Sequence, residues 1–433
     1  MNIWNEPMET LEGDDLAALQ SERLDRTLSR IWEADTPYRK RMDEAGLAPS
    51  DIRGIEDLAR LPFTRKQDFK DNYPLGMLAV PIDKVVRLHA SSGTTGSRTM
   101  VGYTRADIDT WAELVARFAT AAGVVESDVA QISFTYGLFT GGFGLHYGLE
   151  KVGATVVPAS GGNTDLQLTL MRDLKTSVLV ATPTYALHLA EAGLARGFDF
   201  KTSSLRVGLF GAEPWSEGIR ERIEAATGMI ATDNYGLSEV VGPGVSGECE
   251  LKRGMHVADD HFIAEVIDPS TGELLAEGEQ GELVLTTLTR EAVPVVRFRT
   301  GDLTVLRRGP CECGRRNSRM AKVLGRTDDM LIIRGVNVYP NQVEKALLEV
   351  DGIAPHFQIV IDRAGELDRL EIQVEATEGV FSDDTRVMRK FAEKVEGHLK
   401  GTLNVRASVS LVEPNTLERG AGKAKRIVDR REV

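Results

Sequence analysis

Residues 91–99 read SSGTTGSRT and directly follow the apolar stretch 85–90. Glycines let a backbone approach an anion closely, and hydroxyls and main-chain N–H groups donate to phosphate oxygens. Ser91, Ser92, Gly93, Thr94, Thr95 and Gly96 are therefore a candidate phosphate cradle, with an ordinary surface turn as the alternative. The loop lacks the Gly-Lys-Ser/Thr ending of a Walker A motif, which argues against a P-loop kinase or ATPase. A second constellation is built on sulfur. The chain has 3 cysteines, Cys249, Cys311 and Cys313, and His256 follows the first of them. Three thiolates and one imidazole make the closed Cys₃His tetrahedron of a structural zinc site. The single residue between Cys311 and Cys313 is tighter than common ligand spacings, and His261 is a rival nitrogen donor. From spacing alone, buried unligated thiols remain an alternative.

These residues need a scaffold, and the length sets its scale: 433 residues exceed what one hydrophobic core supports, so two or more domains are expected. Hydrophobic residues at 42% and charged residues at 27% give a soluble globular balance. The net charge of −13 disfavours nucleic-acid binding, which requires phosphate neutralisation. No apolar run approaches the ~20 residues needed to span a bilayer, and the opening MNIWNEPMETLEGDD is acidic where a signal peptide is basic. Three cysteines cannot form a disulfide framework, so a cytoplasmic location is expected.

Hydrophobic periodicity predicts a helical, polar segment over residues 1–85. Buried strands at 131–135, 154–158, 177–182 and 205–211 then alternate with helices at 107–122, 164–174, 184–195 and 216–226. Gly197 and Gly228 stand where helix C-termini favour a left-handed residue. This alternation predicts an α/β fold with a largely parallel sheet. Strands at 262–268, 281–288 and 295–299 suggest a β-rich subelement over about 249–325. From residue 330, strands at 357–361, 370–375 and 407–412 with helices at 342–350 and 384–399 suggest a separate α+β domain. The expected division is 1–327 and 328–433.

Further segments make the glycine-rich loop specific: FGAEPW at 210–215, DNYGLSEVVGPGV at 233–245, FRTGDL at 298–303, GRTDDMLIIRGVNVYP at 325–340 and GAGKAKR at 420–426. In this order they resemble the adenylate-forming superfamily. YGLFTGGFGLHYG at 136–148, SGGNT at 160–164 and CECGR at 311–315 are most similar to its phenylacetate–coenzyme A ligase branch. The resemblance runs from about residue 72 to the C-terminus. It implies a large N-terminal α/β domain, a small mobile C-terminal α+β domain, and a two-step ligase. A carboxylic acid and ATP give an acyl-adenylate and pyrophosphate, and the thiol of coenzyme A then displaces AMP. Transfer to a carrier protein or other acceptor is the alternative enzyme, and a non-catalytic binder is disfavoured.

The resemblance assigns roles position by position. It implies that residues 91–96 hold the ATP phosphates, although Ser97 and Arg98 replace the lysine and proline of many relatives. Gly211, Ala212 and Glu213, with Asp233, Asn234 and Tyr235, would wall the adenine slot. Asp302 would bind the ribose hydroxyls, Glu239 would help hold Mg²⁺, and Arg326 would contact ribose or phosphate. Asp328 is the implied hinge and Lys423 the implied adenylation lysine, with Lys425 its neighbour and competitor. Tyr136, Phe139, Gly142, Pro243 and Gly244 would shape an aryl pocket for a small aromatic acid, phenylacetate first. Some members of the branch carry a metal at positions matching Cys249, His256, Cys311 and Cys313, which favours zinc there. Residues 297–326 hold nine basic residues against two acidic ones. That segment suits either the phosphates of coenzyme A or pairing with acidic neighbours. Oligomeric state is open, a homodimer included.

Overall fold

The computed structural model describes residues 2–91, 99–327, 331–333, 336–364, 367–377, 379–382, 384–403, 405–414, 416–417 and 426–431. The strands Val178–Ala181 and Val207–Gly211 are buried along their whole length, as unbroken apolar runs must be when both sheet faces are covered. They pair in parallel with each other, flanked by Val129–Ile132 on one side and Ile230–Leu237 on the other. The helices Thr164–Asp173, Pro183–Ala195 and Glu217–Thr227 alternate with these strands. Gly197 and Gly228 have φ of +73° and +76°, the left-handed conformation expected past a helix end.

Beyond Ile230–Leu237 the same sheet turns antiparallel. Gly242–Glu248, Met255–Val257, Arg319–Met320, Phe298–Arg307, Gln280–Thr287 and Phe262–Ile267 follow in that order within one 12-stranded sheet. The β-rich region is thus continuous with the main sheet, because Arg319–Met320 bonds to strands on both of its sides. The strand expected at 295–299 instead begins at Phe298 and runs to Arg307. Val293, Val295 and Val296 are buried as core filling without belonging to the ladder, and Arg297, with φ of +45°, breaks the extended run.

Helix Thr140–Val152, which was not expected, lies along helix Arg105–Ala121. Glycines lower helix propensity and hide the pattern, but here they allow close approach. A Cβ at Gly144 would sit 2.3 Å from the Trp111 ring, and one at Gly148 would sit 2.1 Å from Val115 Cγ1. Thr104 and Asp107 cap the start of the partner helix reciprocally, each side chain meeting the other's backbone N–H.

A second apolar core gathers residues between Leu331 and Ala407. There a four-stranded sheet, ordered Ala407–Val412, Leu367–Ala376, Ile353–Ala364 and Ile427–Asp429, carries helices Pro340–Leu348 and Thr385–Leu403. At the other end of the chain, buried Glu9 accepts from Arg315 Nε at 2.5 Å and ties the N-terminal segment to the CECGR turn. Among the described residues no helix is long and apolar enough to cross a membrane.

Candidate active site

The strands Arg87–Ala90 and Met100–Tyr103 pair antiparallel, with Ala90 opposite Met100. Ser91 N donates to Thr99 O at 2.9 Å, and Thr99 N donates to Ser91 Oγ at 3.1 Å. The two ends of the hydroxyl-rich loop are therefore clamped together. Ser92, Gly93, Thr94, Thr95 and Gly96 lie outside the described residues, as do Asp328 and Lys423.

A cleft with about 620 Å³ of empty space, counting its open mouth, is lined by Ala212, Glu213, Asp233, Asn234, Tyr235, Asp302 and Arg326. The structure thus brings together residues that lie far apart in the chain. Asp302 and Arg326 are register partners on neighbouring strands. Asp302 Oδ1 accepts from Arg326 Nη1 at 2.6 Å, and its Oδ2 accepts from the Tyr235 hydroxyl at 2.6 Å. Burial and the adjacent Asp302 anion hold the Tyr235 hydroxyl well above its ordinary pKa, so it stays a donor.

Gly211 faces Asn234 across parallel strands, and a Cβ there would lie 2.5 Å from Asn234 O. No larger residue fits that approach. Ala212 then takes φ of +69°, which turns the chain sharply into the cleft. Glu213 is buried and accepts from Thr184 N at 2.8 Å and Thr184 Oγ1 at 2.6 Å. Burial raises its pKa, against the opposing pull of Arg426 and the Thr184 donors. Asp233 is pushed up to about 7, first by burial and then by the Glu248 carboxylate, while Lys322 and Arg220 oppose the shift. Glu239 is also buried, and desolvation raises its pKa against its own backbone N–H and the Lys66 and Arg326 cations.

Lys322 and Trp215 line the same cleft and were not singled out from sequence. Lys322 Nζ lies 3.9 Å from the Trp215 ring centroid and 3.1 Å from Glu217 Oε2. A lysine inside a basic stretch carried no separate signal. In that stretch Arg297 pairs with Glu265, Arg299 with Glu282, Arg315 with Glu9 and Arg326 with Asp302. Of the two readings the sequence left open, pairing with acidic neighbours accounts for these four arginines, while Arg307 and Arg308 are exposed.

None of the five expected aryl-pocket residues lines this cleft. Tyr136, Phe139 and Gly142 cluster at the start of helix Thr140–Val152. The Tyr136 hydroxyl lies 3.1 Å from His146 Nδ1, and its ring meets Phe143 edge-on at 5.2 Å. Pro243 and Gly244 face helix Arg105–Ala121 instead. Pro243 O accepts from Trp111 Nε1 at 2.7 Å, and a Cβ at Gly244 would lie 3.1 Å from Leu114 Cβ.

Cys249, His256, Cys311 and Cys313 converge with all four ligand atoms within 4.8 Å of one another, and all four residues are buried. Cys313 Sγ lies 3.5 Å from His256 Nε2. Zn–S and Zn–N bonds of about 2.3 and 2.0 Å at a tetrahedral angle put sulfur and nitrogen about 3.5 Å apart, so the donor set fits zinc. A hydrogen bond from Cys249, helped by His256, holds the Cys313 thiol far below its usual pKa, while Cys249 is raised. His261 is engaged elsewhere, 3.2 Å from Asp260 and 2.7 Å from Thr289 Oγ1.

The AMP-binding enzyme family matches residues 41–288, and the AMP-binding enzyme C-terminal domain matches residues 335–431. A phenylacetate-coenzyme A ligase from Aromatoleum evansii is 48% identical over 98% of this chain and 97% of its own length. The chain belongs to the AMP-binding enzyme family, in its phenylacetate–coenzyme A ligase branch. It is an AMP-forming acid–coenzyme A ligase that works through an acyl-adenylate. The match to the 2-hydroxyisobutyryl-CoA ligase in the postadenylation state, in complex with R3-HIB-AMP, has a TM-score of 0.92 at 29% identity, covering 99% of this chain and 92% of that one. The same ligase in complex with 2-HIB-AMP and CoA in the thioesterification state gives 0.72 at 30% identity, covering 98% and 92%. The arrangement of this AMP-binding enzyme is therefore nearer the postadenylation state.

Proposed function

We propose that this ligase activates a small aromatic acid, phenylacetate first, and passes the acyl group to coenzyme A. The observation that carries this reading is Asp302 held between Tyr235 and Arg326 in the lining of the cleft. The Tyr235 and Arg326 donors fix the orientation of the carboxylate, and carboxylate oxygens are acceptors suited to ribose hydroxyls. Gly211, Ala212, Glu213, Asp233, Asn234 and Tyr235 form the adenine slot, and Ser91 to Gly96 cradle the outer phosphates. In the first step a carboxylate oxygen bonds to the α-phosphorus and the bond to pyrophosphate breaks. Lys423 and Arg326 stabilise the charge that gathers there. In the second step the coenzyme A thiol loses its proton, its sulfur bonds to the acyl carbon, and AMP leaves. Asp328 is the hinge between a large unit ending at 327 and a small unit from 328, and Tyr136, Phe139, Gly142, Pro243 and Gly244 shape the acid pocket.

Glu239 is the carboxylate that would hold Mg²⁺. It is buried and its ionised form is disfavoured, so a hard divalent cation offsets its charge favourably. That cation would neutralise phosphate charge. Cys249, His256, Cys311 and Cys313 would hold a zinc ion in a closed, non-catalytic site. Three cysteines in 433 residues, too few for a disulfide framework, support a cytoplasmic location. The test is acid-dependent pyrophosphate release across aryl and alkyl acids, with and without coenzyme A. Highest turnover on arylacetates with AMP as product is expected. Release of ADP, or no response to any acid, would overturn the reading.

A further inference from the structure

We propose that His89 is a positioning residue for adenylation: its imidazole fastens the acid-pocket segment 136–139 to the root of the phosphate loop, so that the acid and the triphosphate meet in one register. This rests on the reading of both segments given above. His89 lies on strand Arg87–Ala90, two residues before Ser91, and is 1% exposed. The backbone beside it bonds in two directions. Ser91 N reaches across the strand pair to Thr99 O, whereas Ala90 N donates from the opposite edge to Leu138 O at 2.8 Å. His89 Nδ1 lies 3.0 Å from that same carbonyl. A carbonyl only accepts, so Nδ1 carries the proton, and Leu138 O receives donors from two consecutive residues of the strand. Burial holds the imidazole below its ordinary pKa, against the pull of that carbonyl, and keeps it neutral.

The ring is held in an aromatic cage. It meets Tyr103 and Trp111 edge-on at 5.4 and 5.8 Å, and Phe143 at 5.8 Å. Each of these rings carries the contact onward to the expected acid pocket. Phe143 meets Tyr136 edge-on, the Tyr103 hydroxyl donates to Val241 O at 3.0 Å, and Trp111 Nε1 donates to Pro243 O. Among the described residues the buried Nε2 has no hydrogen-bond partner, so the bond to Leu138 O is the polar contact the ring makes. An apolar side chain would fill this cage without burying an unpaired nitrogen, which is costly. What the imidazole adds is the Nδ1–H donor. Its target has little other support: Leu138 is 49% exposed, and Phe139, at the start of helix Thr140–Val152, makes no side-chain cap bond. Adenylation needs a carboxylate oxygen aligned with the α-phosphorus, and a misplacement of about 1 Å costs on the order of a hundredfold in rate. A neutral hydrogen bond between the two segments fixes that spacing before either substrate arrives.

The experiment separates the donor from the ring. His89→Phe keeps an aromatic edge and removes the donor, whereas His89→Asn keeps an N–H at the Nδ1 position and removes the ring. His89→Phe should lower kcat for acid-dependent pyrophosphate release by about tenfold or more, with the KM for ATP within about twofold of wild type. Thioester formation from preformed acyl-AMP should change by less than about threefold, since acid and phosphate are already joined there. His89→Asn should recover most of kcat, even though it empties part of the cage and melts at a lower temperature than wild type. Should His89→Phe fail to fold, the smaller His89→Leu takes its place with the same expectation. A donor-free variant with wild-type kcat, an asparagine variant as slow as the donor-free one, or equal losses in both half-reactions would each overturn the proposal. A wild-type enzyme with no acid-dependent pyrophosphate release would instead refute the adenylation reading beneath it.

Discussion

Asp302 and Arg326 face each other as antiparallel register partners, and their side chains meet at 2.6 Å inside the cleft. Backbone pairing fixes the separation of the two side chains before any ligand arrives, so the acceptor and the cation are pre-organised. Asp302→Asn removes the carboxylate charge that Arg326, with only 16% of its side chain exposed, faces in the cleft. A contact of this kind is worth about 1.5–3 kcal/mol, so nucleotide affinity should fall roughly 10- to 100-fold. ATP titration against wild type checks this; a KM for ATP within twofold of wild type would remove Asp302 from the ribose site.

Asp233 gives a pH prediction. Its folded pKa of about 7 lies above the ordinary 3.8. Between those values the folded state binds the proton more tightly than the unfolded chain, so stability declines as pH rises through the interval. Above pH 7 the buried carboxylate is ionised beside Glu248, and this costs the fold most. Asp233→Asn keeps a neutral group of similar shape. It should melt like wild type near pH 4 and become progressively more stable than wild type up to pH 8, by about 1–3 kcal/mol. Parallel melting curves across that range would show that Lys322 and Arg220 already compensate the charge.

How much of this was legible in the sequence depended on local signals. The strands Val178–Ala181 and Val207–Gly211 stand out as unbroken apolar runs bounded by helices, and the left-handed glycines at 197 and 228 mark helix ends. Glycine-rich elements were hidden. Helix Thr140–Val152 and strand Gly242–Glu248 have their reason for glycine in a neighbour, Trp111, Leu114 or Val115, that a local window does not contain. The clustering of Asp302, Tyr235 and Arg326 was legible only through resemblance, since no spacing rule links positions 235, 302 and 326. The pairing of Arg297 and Arg315 with Glu265 and Glu9 is likewise tertiary information. Composition alone left that stretch balanced between a patch and a set of ion pairs.

Lys423 lies outside the described residues, and substitution tests its role directly. Lys423→Ala should cut acid-dependent pyrophosphate release by about a hundredfold or more, the scale for losing one donor to developing charge. Thioester formation from preformed acyl-AMP should fall far less, because that step forms its new bond at the acyl carbon and not at phosphorus. A comparable loss for Lys425→Ala with Lys423→Ala silent would reassign the lysine to its neighbour.

The sulfur cluster predicts a structural rather than a chemical phenotype. Cys249 follows strand Gly242–Glu248, His256 sits within Met255–Val257, and Cys311 and Cys313 lie in the turn between Phe298–Arg307 and Arg319–Met320. One zinc would tie these neighbouring strands together at a single point. Arg315, two residues beyond Cys313, carries the buried pair with Glu9, so the same turn also holds the N-terminal segment. Four protein donors leave no open coordination position, which excludes activation of a water or substrate there. Cys311→Ser should therefore lower the melting temperature by several degrees or more, because metal binding free energy is also folding free energy. The KM for ATP should stay within about twofold, since none of the four ligands lines the nucleotide cleft. Prolonged chelation should reproduce the loss of stability, expose three titratable thiols and make the N-terminal segment sensitive to protease. Purified protein with much less than one zinc per chain, and thiols that titrate freely in the native state, would leave the cluster as buried cysteines and remove zinc from this account.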